Sequence, residues 1–327
     1  MSSRGPLLLA LGAMTFGLRA SAQTPAPAPS PAQTPAPTPP PLTLEVAVDV
    51  VSVTAVVFDK GGNFVKGLGP KDVQLSEDGV VQEVSYFREA AGPGEERIPL
   101  SVVLVLDTSG SMNRSLRFLQ EAVLSFVYKL EEVDSALVVS FNDSVKGSVE
   151  FTSDTDRLER FVDGLQAWGG TSLYDALHYS LGRIKDEPGR KAIVLFSDGA
   201  DTTSSMRDQE VIEYARAVEA TVYSVGFQGG GSGMFGGSAK GFLKKVAEET
   251  GGDSFFPDKV GDLIKVFQAI SNELKNHYLL AYSPKRAPDG GYRTISLKIP
   301  SRPELQVRVR KGYFAVKKRP PPKKRTD

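Results

Sequence analysis

The sequence predicts an open, doubly wound α/β domain with a mostly parallel sheet, inserted in or flanked by an all-β, sandwich-like domain. Two observations carry that prediction. Between Ile98 and Leu274, short β-rich apolar runs alternate with stretches whose apolar residues recur every three or four positions. That alternation is the pattern of strand–helix units wrapped around a buried sheet. On either side of this region the chain shows period-two alternation and turn residues instead, which is the pattern of half-buried antiparallel strands.

Residues 1–22 read as an export signal, with Arg4 before the apolar run "LLLALGAMTFGL" and the small residues "ASA" before Gln23. The run is too short to span a bilayer; a buried helix or membrane anchor is the alternative. With no later run of sufficient length, no transmembrane span is expected after cleavage. The expected location is periplasmic, cell-surface or secreted. Residues 23–41 form a Pro/Ala-rich linker, "TPAPAPSPAQTPAPTPPP" from Thr24 to Pro41, expected as an extended polyproline II tether.

Residues 42–90 form an N-terminal β segment. Two strands are expected around the turn "DKGGN" at Asp59–Asn63, and a hairpin around Asp78-Gly79. "AAGPGEE" (Ala90–Glu96) reads as a linker into the α/β domain at 98–275. There the strand "LSVVLVL" precedes a stripe of Leu116, Leu119, Val123, Phe126, Val127 and Leu130. Strand "ALVVSF" precedes stripes at Leu158–Leu165 and Leu173–Ile184, and strand "AIVLF" precedes a stripe at Val211–Val218. Strand "ATVYSVGF" leads to two last helices, around Phe242–Ala247 and over Asp258–Lys275. Residues 276–316 return to β, with Leu305–Val316 expected as one strand, and are expected to pair with 42–90; 317–327 form a basic, Pro-rich tail expected to be disordered.

Composition narrows the chemistry. A formal net charge of zero gives no reason to expect a nucleic-acid partner. Cys is absent, which removes disulfides and thiolate chemistry, and two His (His178 and His277) leave little for a zinc site or a His-based triad. Acidic and hydroxyl side chains are the plentiful raw material.

Open parallel sheets bind ligands outside the carboxyl ends of their strands. The first α/β strand ends in "DTSGSM", with Asp107, Ser109 and Ser111; "AIVLF" ends in "SDGADTT", with Asp198 first; "WGGTSLYDAL" places Thr171 before a helix. Carboxylates and hydroxyls on one rim are hard-oxygen chemistry suited to Mg²⁺ or Mn²⁺. Each motif alone has a plainer reading, as a capping serine, a turn or an N-cap threonine.

"DTSGS", "GGTS" and "SDG", in that order at strand ends, resemble the von Willebrand factor A-type (VWFA) domain, a Rossmann-like fold, with its metal-ion-dependent adhesion site. The likeness spans Ile98 to Leu274, a little over half the chain. It implies that Asp107, Ser109, Ser111, Thr171 and Asp198 hold one Mg²⁺ (or Mn²⁺ or Ca²⁺), the hydroxyls directly and the carboxylates largely through water. It implies further that an open position takes a Glu or Asp carboxylate from a partner protein. Asp201, Asp175 and Trp168 stand nearby as supporting or rim candidates. The signal, tether and flanking β segments resemble the exported bacterial "VWFA-related" proteins common in acidobacteria.

The resulting expectation is an exported, non-enzymatic adhesion or interaction module. The alternatives are an envelope assembly or scaffolding factor with a structural metal and, further off, a metal-dependent hydrolase. Against an enzyme, Ser109 stands where a phosphatase of the haloacid dehalogenase type has its general acid. "GGGSGMFGG" (Gly229–Gly237) lacks the Lys-Ser/Thr of a phosphate loop and reads as a flexible loop.

Overall fold

The computed structural model describes residues 50–90, 98–147, 150–227 and 237–316. The expected signal, tether and basic tail lie outside these residues, as do the start of the front β segment, most of the "AAGPGEE" linker and all but the last residue of the Gly-rich loop.

The front segment holds β1 (Val51–Phe58), β2 (Gln74–Glu77), β3 (Val80–Val81) and β4 (Val84–Glu89). The α/β region follows with β5 (Leu100–Asp107), α1 (Leu116–Val127), β6 (Ser135–Phe141), β7 (Val145–Gly147), α2 (Thr155–Asp163), α3 (Leu173–Ile184) and β8 (Arg190–Ser197). It continues through α4 (Asp208–Ala217), β9 (Thr221–Gly226), α5 (Gly237–Thr250), β10 (Ser254–Phe255) and α6 (Leu263–Lys275). Strands β11 (Tyr278–Tyr282), β12 (Tyr292–Lys298), β13 (Gln306–Val309) and β14 (Gly312–Phe314) close the chain.

The central sheet runs β10-β9-β8-β5-β6-β7, parallel except for the edge strand β7. Every residue of β5 is buried, as a strand covered on both faces requires. Val102, Leu104 and Leu106 point into one core with α1, α2 and α6, while Val103 and Val105 point into the other with α3, α4 and α5. The sheet is therefore doubly wound, and its apolar helix stripes are the residues that fill these two cores.

Two antiparallel sheets stand beside it. One runs β13-β1-β11-β4 and the other β14-β12-β2-β3, so each mixes strands from before and after the α/β domain. They share one core, in which Val53, Ala55 and Leu75 meet Leu280, Tyr282, Ile295 and Leu297. Asp78 (φ 45°) and Gly79 (φ 78°) make the hairpin turn between β2 and β3, both in the left-handed region that a two-residue hairpin of this type needs.

Two sequence expectations change. The second strand after "DKGGN" reduces to a single bridge, Phe58 to Phe64. The Asp59 carboxylate accepts from the Gly61 and Asn63 amides, which closes the turn, and the chain then leaves at Gly67 with a positive φ of 74°. The stretch Leu305–Val316, expected as one strand, splits into β13 and β14, which join different sheets. The break falls at Arg310-Lys311, where the Arg310 Nε donates to the Gly312 carbonyl. A Cβ on Gly312 would collide with the Arg293 carbonyl, so only glycine lets the chain cross here.

Candidate metal centre

The carboxyl ends of β5, β6 and β8 and the loop into α3 meet at one rim. Asp107, the last residue of β5, is fully buried. Its Oδ1 accepts from the Ser109 amide at 2.8 Å and its Oδ2 from the Ser197 hydroxyl at 2.7 Å. The Ser109 and Ser111 hydroxyls lie 2.9 Å apart, and Ser111 Oγ donates to Asp198 Oδ1 at 2.7 Å. Four of the five residues expected to hold a cation therefore form one hydrogen-bonded cluster.

Thr171 is buried in the third loop. Its main chain carries the contacts: its N–H donates to the Thr202 hydroxyl, and its carbonyl accepts from the Thr202 and Thr203 amides. Its hydroxyl takes part in none of these bonds. This loop is laced to the first by Trp168 N–H to the Thr108 carbonyl at 2.9 Å and by Gly110 N–H to the Gly169 carbonyl at 3.0 Å.

Asp201 and Asp175 hold the rim together. The Asp201 carboxylate accepts from the Tyr174 and Ser204 amides and from the Ser204 hydroxyl; Asp175 accepts from the Ser205 and Met206 amides. Together they fasten the 201–206 loop to the first turn of α3. Trp168 is 49% exposed, with Lys146 Nζ over its ring at 5.1 Å.

The sequence reading missed a fourth loop. Asp143, just beyond β6, accepts from the Gly170 amide at 2.6 Å, and a Cβ on either Gly169 or Gly170 would strike its carboxylate. Gly169 also has φ 75°. The "GG" before Thr171 is thus a cradle for Asp143, and the only advance signal was an acid following a strand end in "FNDS". Ser197, read only as part of a turn, is the second donor to Asp107.

Burial pushes the Asp107 carboxyl up, against the opposing hydrogen bonds from Ser197 and Ser109. Burial and then the charge of Asp107 push Asp198 up to about 6. Two acids lie close together at the rim with hydroxyls between them, and the charge of one raises the other. Among the described residues, no group of three or more His, Cys, Asp or Glu side chains is placed to hold a metal. Two carboxylates and three hydroxyls instead make a weakly charged, all-oxygen donor set, which fits a hard divalent ion that keeps part of its water.

An open, mostly parallel α/β sheet with an oxygen cluster at its strand ends is a Rossmann-like architecture. Residues 102–201 match the family model of the von Willebrand factor type A domain. Inter-alpha-trypsin inhibitor heavy chain H4 of Bos taurus is 25% identical over 236 residues, covering 64% of this chain and 25% of that protein. A UPF0353 protein of Mycolicibacterium gilvum is 25% identical over 230 residues, covering 60% and 68%. The chain thus spans about a quarter of the length of the mammalian relatives. Among solved structures, a von Willebrand factor type A protein of Catenulispora acidiphila aligns at 14% identity and TM-score 0.48, covering 82% of this chain and 63% of that one. The vWF domain of the type V pili tip protein Mfa5 of Porphyromonas gingivalis aligns at 16% and 0.45, covering 54% and 95%.

Proposed function

We propose that this chain is an exported, divalent-cation-dependent protein-binding module that captures a partner's Glu or Asp carboxylate at the β5–β8 rim. Asp107, Ser109, Ser111, Thr171 and Asp198 would hold one Mg²⁺, with Mn²⁺ or Ca²⁺ able to replace it. The ion supplies an electrophilic position for the incoming carboxylate. The chain's own residues shape the rest. Ser197 and the Ser109 amide orient Asp107, Asp143 fixes the loop that presents Thr171, and Trp168 with Lys146 offers an exposed aromatic and a cation beside the rim.

One observation carries this reading. Asp107 and Asp198 are linked through Ser109, whose amide donates to Asp107, and through the Ser109 and Ser111 hydroxyls, and neither is ion-paired to a Lys or Arg among the described residues. The type A domain match supports the binding role, and the signal-like residues Arg4 to Ala22 support export. The histidines serve elsewhere: His178 stacks on Tyr214 with ring centroids 4.7 Å apart, and His277 lies beside Arg190. This favours binding over acid–base catalysis.

The test uses glutarate as the probe. In Mn²⁺-loaded protein, glutarate should displace coordinated water and lower the water-proton relaxivity. A relaxivity unchanged at saturating glutarate would overturn carboxylate capture.

A further inference from the structure

We propose that a crevice at the opposite end of the α/β domain binds a small monocarboxylate with an apolar body, its charge received by Arg310. The crevice has a volume of about 270 Å³ and lies between the end of α4 and the β-sandwich. Ala217 and Glu219 stand on one wall; Pro284, Ala287, Pro288 and Phe314 stand on the other. Ala217 and Glu219 precede β9, so the crevice sits at the N-terminal edge of the sheet, whereas the metal cluster sits at the carboxyl ends. A neighbouring cavity of about 250 Å³ also reaches Glu219 and Arg310.

Arg310 is only 9% exposed. Its Nε donates to the Gly312 carbonyl at 2.8 Å and its Nη2 to the Arg216 carbonyl at 2.9 Å. Among the described residues no carboxylate lies within ion-pairing distance of it. Glu219 attracts it from further away, and burial pulls its pKa down. The other arginines of the same wall differ: Arg293 pairs with Glu77 and Asp289, and Arg286 pairs with Glu77 and Asp78. Arg310 therefore keeps a desolvated charge resting on carbonyl dipoles, with donors of its five-donor fork to spare.

A carboxylate entering the crevice would answer that charge with a charge-assisted, fork-shaped pairing. The proline, alanine and phenylalanine walls call for an apolar body behind it, since a bare anion would leave them without a partner.

The experiment is calorimetry and thermal unfolding of the full chain in EDTA, which keeps the metal centre out of the readout. The probes are hexanoate, acetate, inorganic phosphate and hexanol. Hexanoate should bind at one saturable site, about tenfold or more tighter than acetate, given four extra methylenes, and raise the melting temperature. Phosphate and hexanol should not. Arg310→Met should abolish hexanoate binding. Ala217→Trp, which puts a bulky side chain into the crevice from an exposed position, should weaken it about tenfold or more and keeps the test valid if the Arg310 variant does not fold. Absence of saturable hexanoate binding, acetate or phosphate binding as tightly as hexanoate, or unchanged binding in Ala217→Trp would each overturn the proposal.

Discussion

Ser111 donates its hydroxyl to Asp198 at 2.7 Å across 87 positions of sequence. The residue before Asp198, Ser197, donates to Asp107, and Ser109 joins Asp107 to Ser111. The ring ties the ends of β5 and β8 together around two acids. Its energetic consequence is a conflict: the carboxylates that would hold the proposed cation are a cost to the ion-free fold, because burial disfavours their charged form.

That conflict predicts a sign reversal for Asp107→Asn. In EDTA the variant should be at least as stable as the parent at neutral pH, by about 1 kcal/mol, because a desolvated charge is replaced by a neutral isostere. With saturating Mg²⁺ the parent should be the more stable one. Thermal unfolding with and without the ion reads both halves. A loss of several kcal/mol in EDTA would mean that Asp107 is structural.

Asp143 makes no claim to the ion, yet it should matter to it. Asp143→Ala removes the acceptor that holds Gly170 and leaves the Thr171 loop loose. Residues that orient ligands in this way typically account for about 10–100-fold in metal affinity. The predicted loss is in that range, measured as the Mn²⁺ dissociation constant, with overall stability changed by less than about 1 kcal/mol.

Arg308 clamps the last helix of the α/β domain to the sandwich. It pairs with Glu273 of α6 and with Asp253 at 2.6 Å. Glu273 is 5% exposed. Arg308→Met should destabilise the chain by roughly 3–5 kcal/mol, because it strands a buried carboxylate. Adding Glu273→Leu should restore most of that loss. Denaturant midpoints of the single and double variants decide it, and equal losses in both would show that packing, not charge, holds the clamp.

Glu249 sets an acid limb of stability. Burial alone would raise its carboxyl, but hydrogen bonds from Arg216 and Lys245 and their charges hold it at about 2, below the usual 4.5. A depressed folded pKa contributes stability that is fully present above the unfolded value and is lost as pH falls through the folded one. The chain should therefore lose stability between about pH 4.5 and 2, and Glu249→Gln should flatten that slope. Parallel pH profiles of the melting temperature for parent and variant would contradict it.

The α/β domain was readable because its signals are local. The unbroken apolar run of β5, the stripe of α3 and the acids at strand ends are each set by neighbours a few positions away. The residues missed are those whose role depends on adjacency in space. Asp143 acts on Gly169 and Gly170 only because the chain ending β6 passes beside the loop into α3, which no periodicity announces. Arg308 and Arg310 alternate with Val307 and Val309 as solvent-facing residues would, and both are covered because the sandwich packs against the α/β domain there. The extra strand expected after "DKGGN" failed for a related reason. Phe64 and Val65 suit a strand, but Gly67 turns the chain before a ladder can form.

The most direct measurement is a calorimetric titration of the full chain with Mg²⁺ and Mn²⁺, alongside Asp107→Ala and Asp198→Ala. One saturable site is expected in the parent and lost in both variants, with free ion at a hundred times its dissociation constant raising stability by about 2.7 kcal/mol. Absence of binding in the parent, or equal binding in the variants, would contradict it.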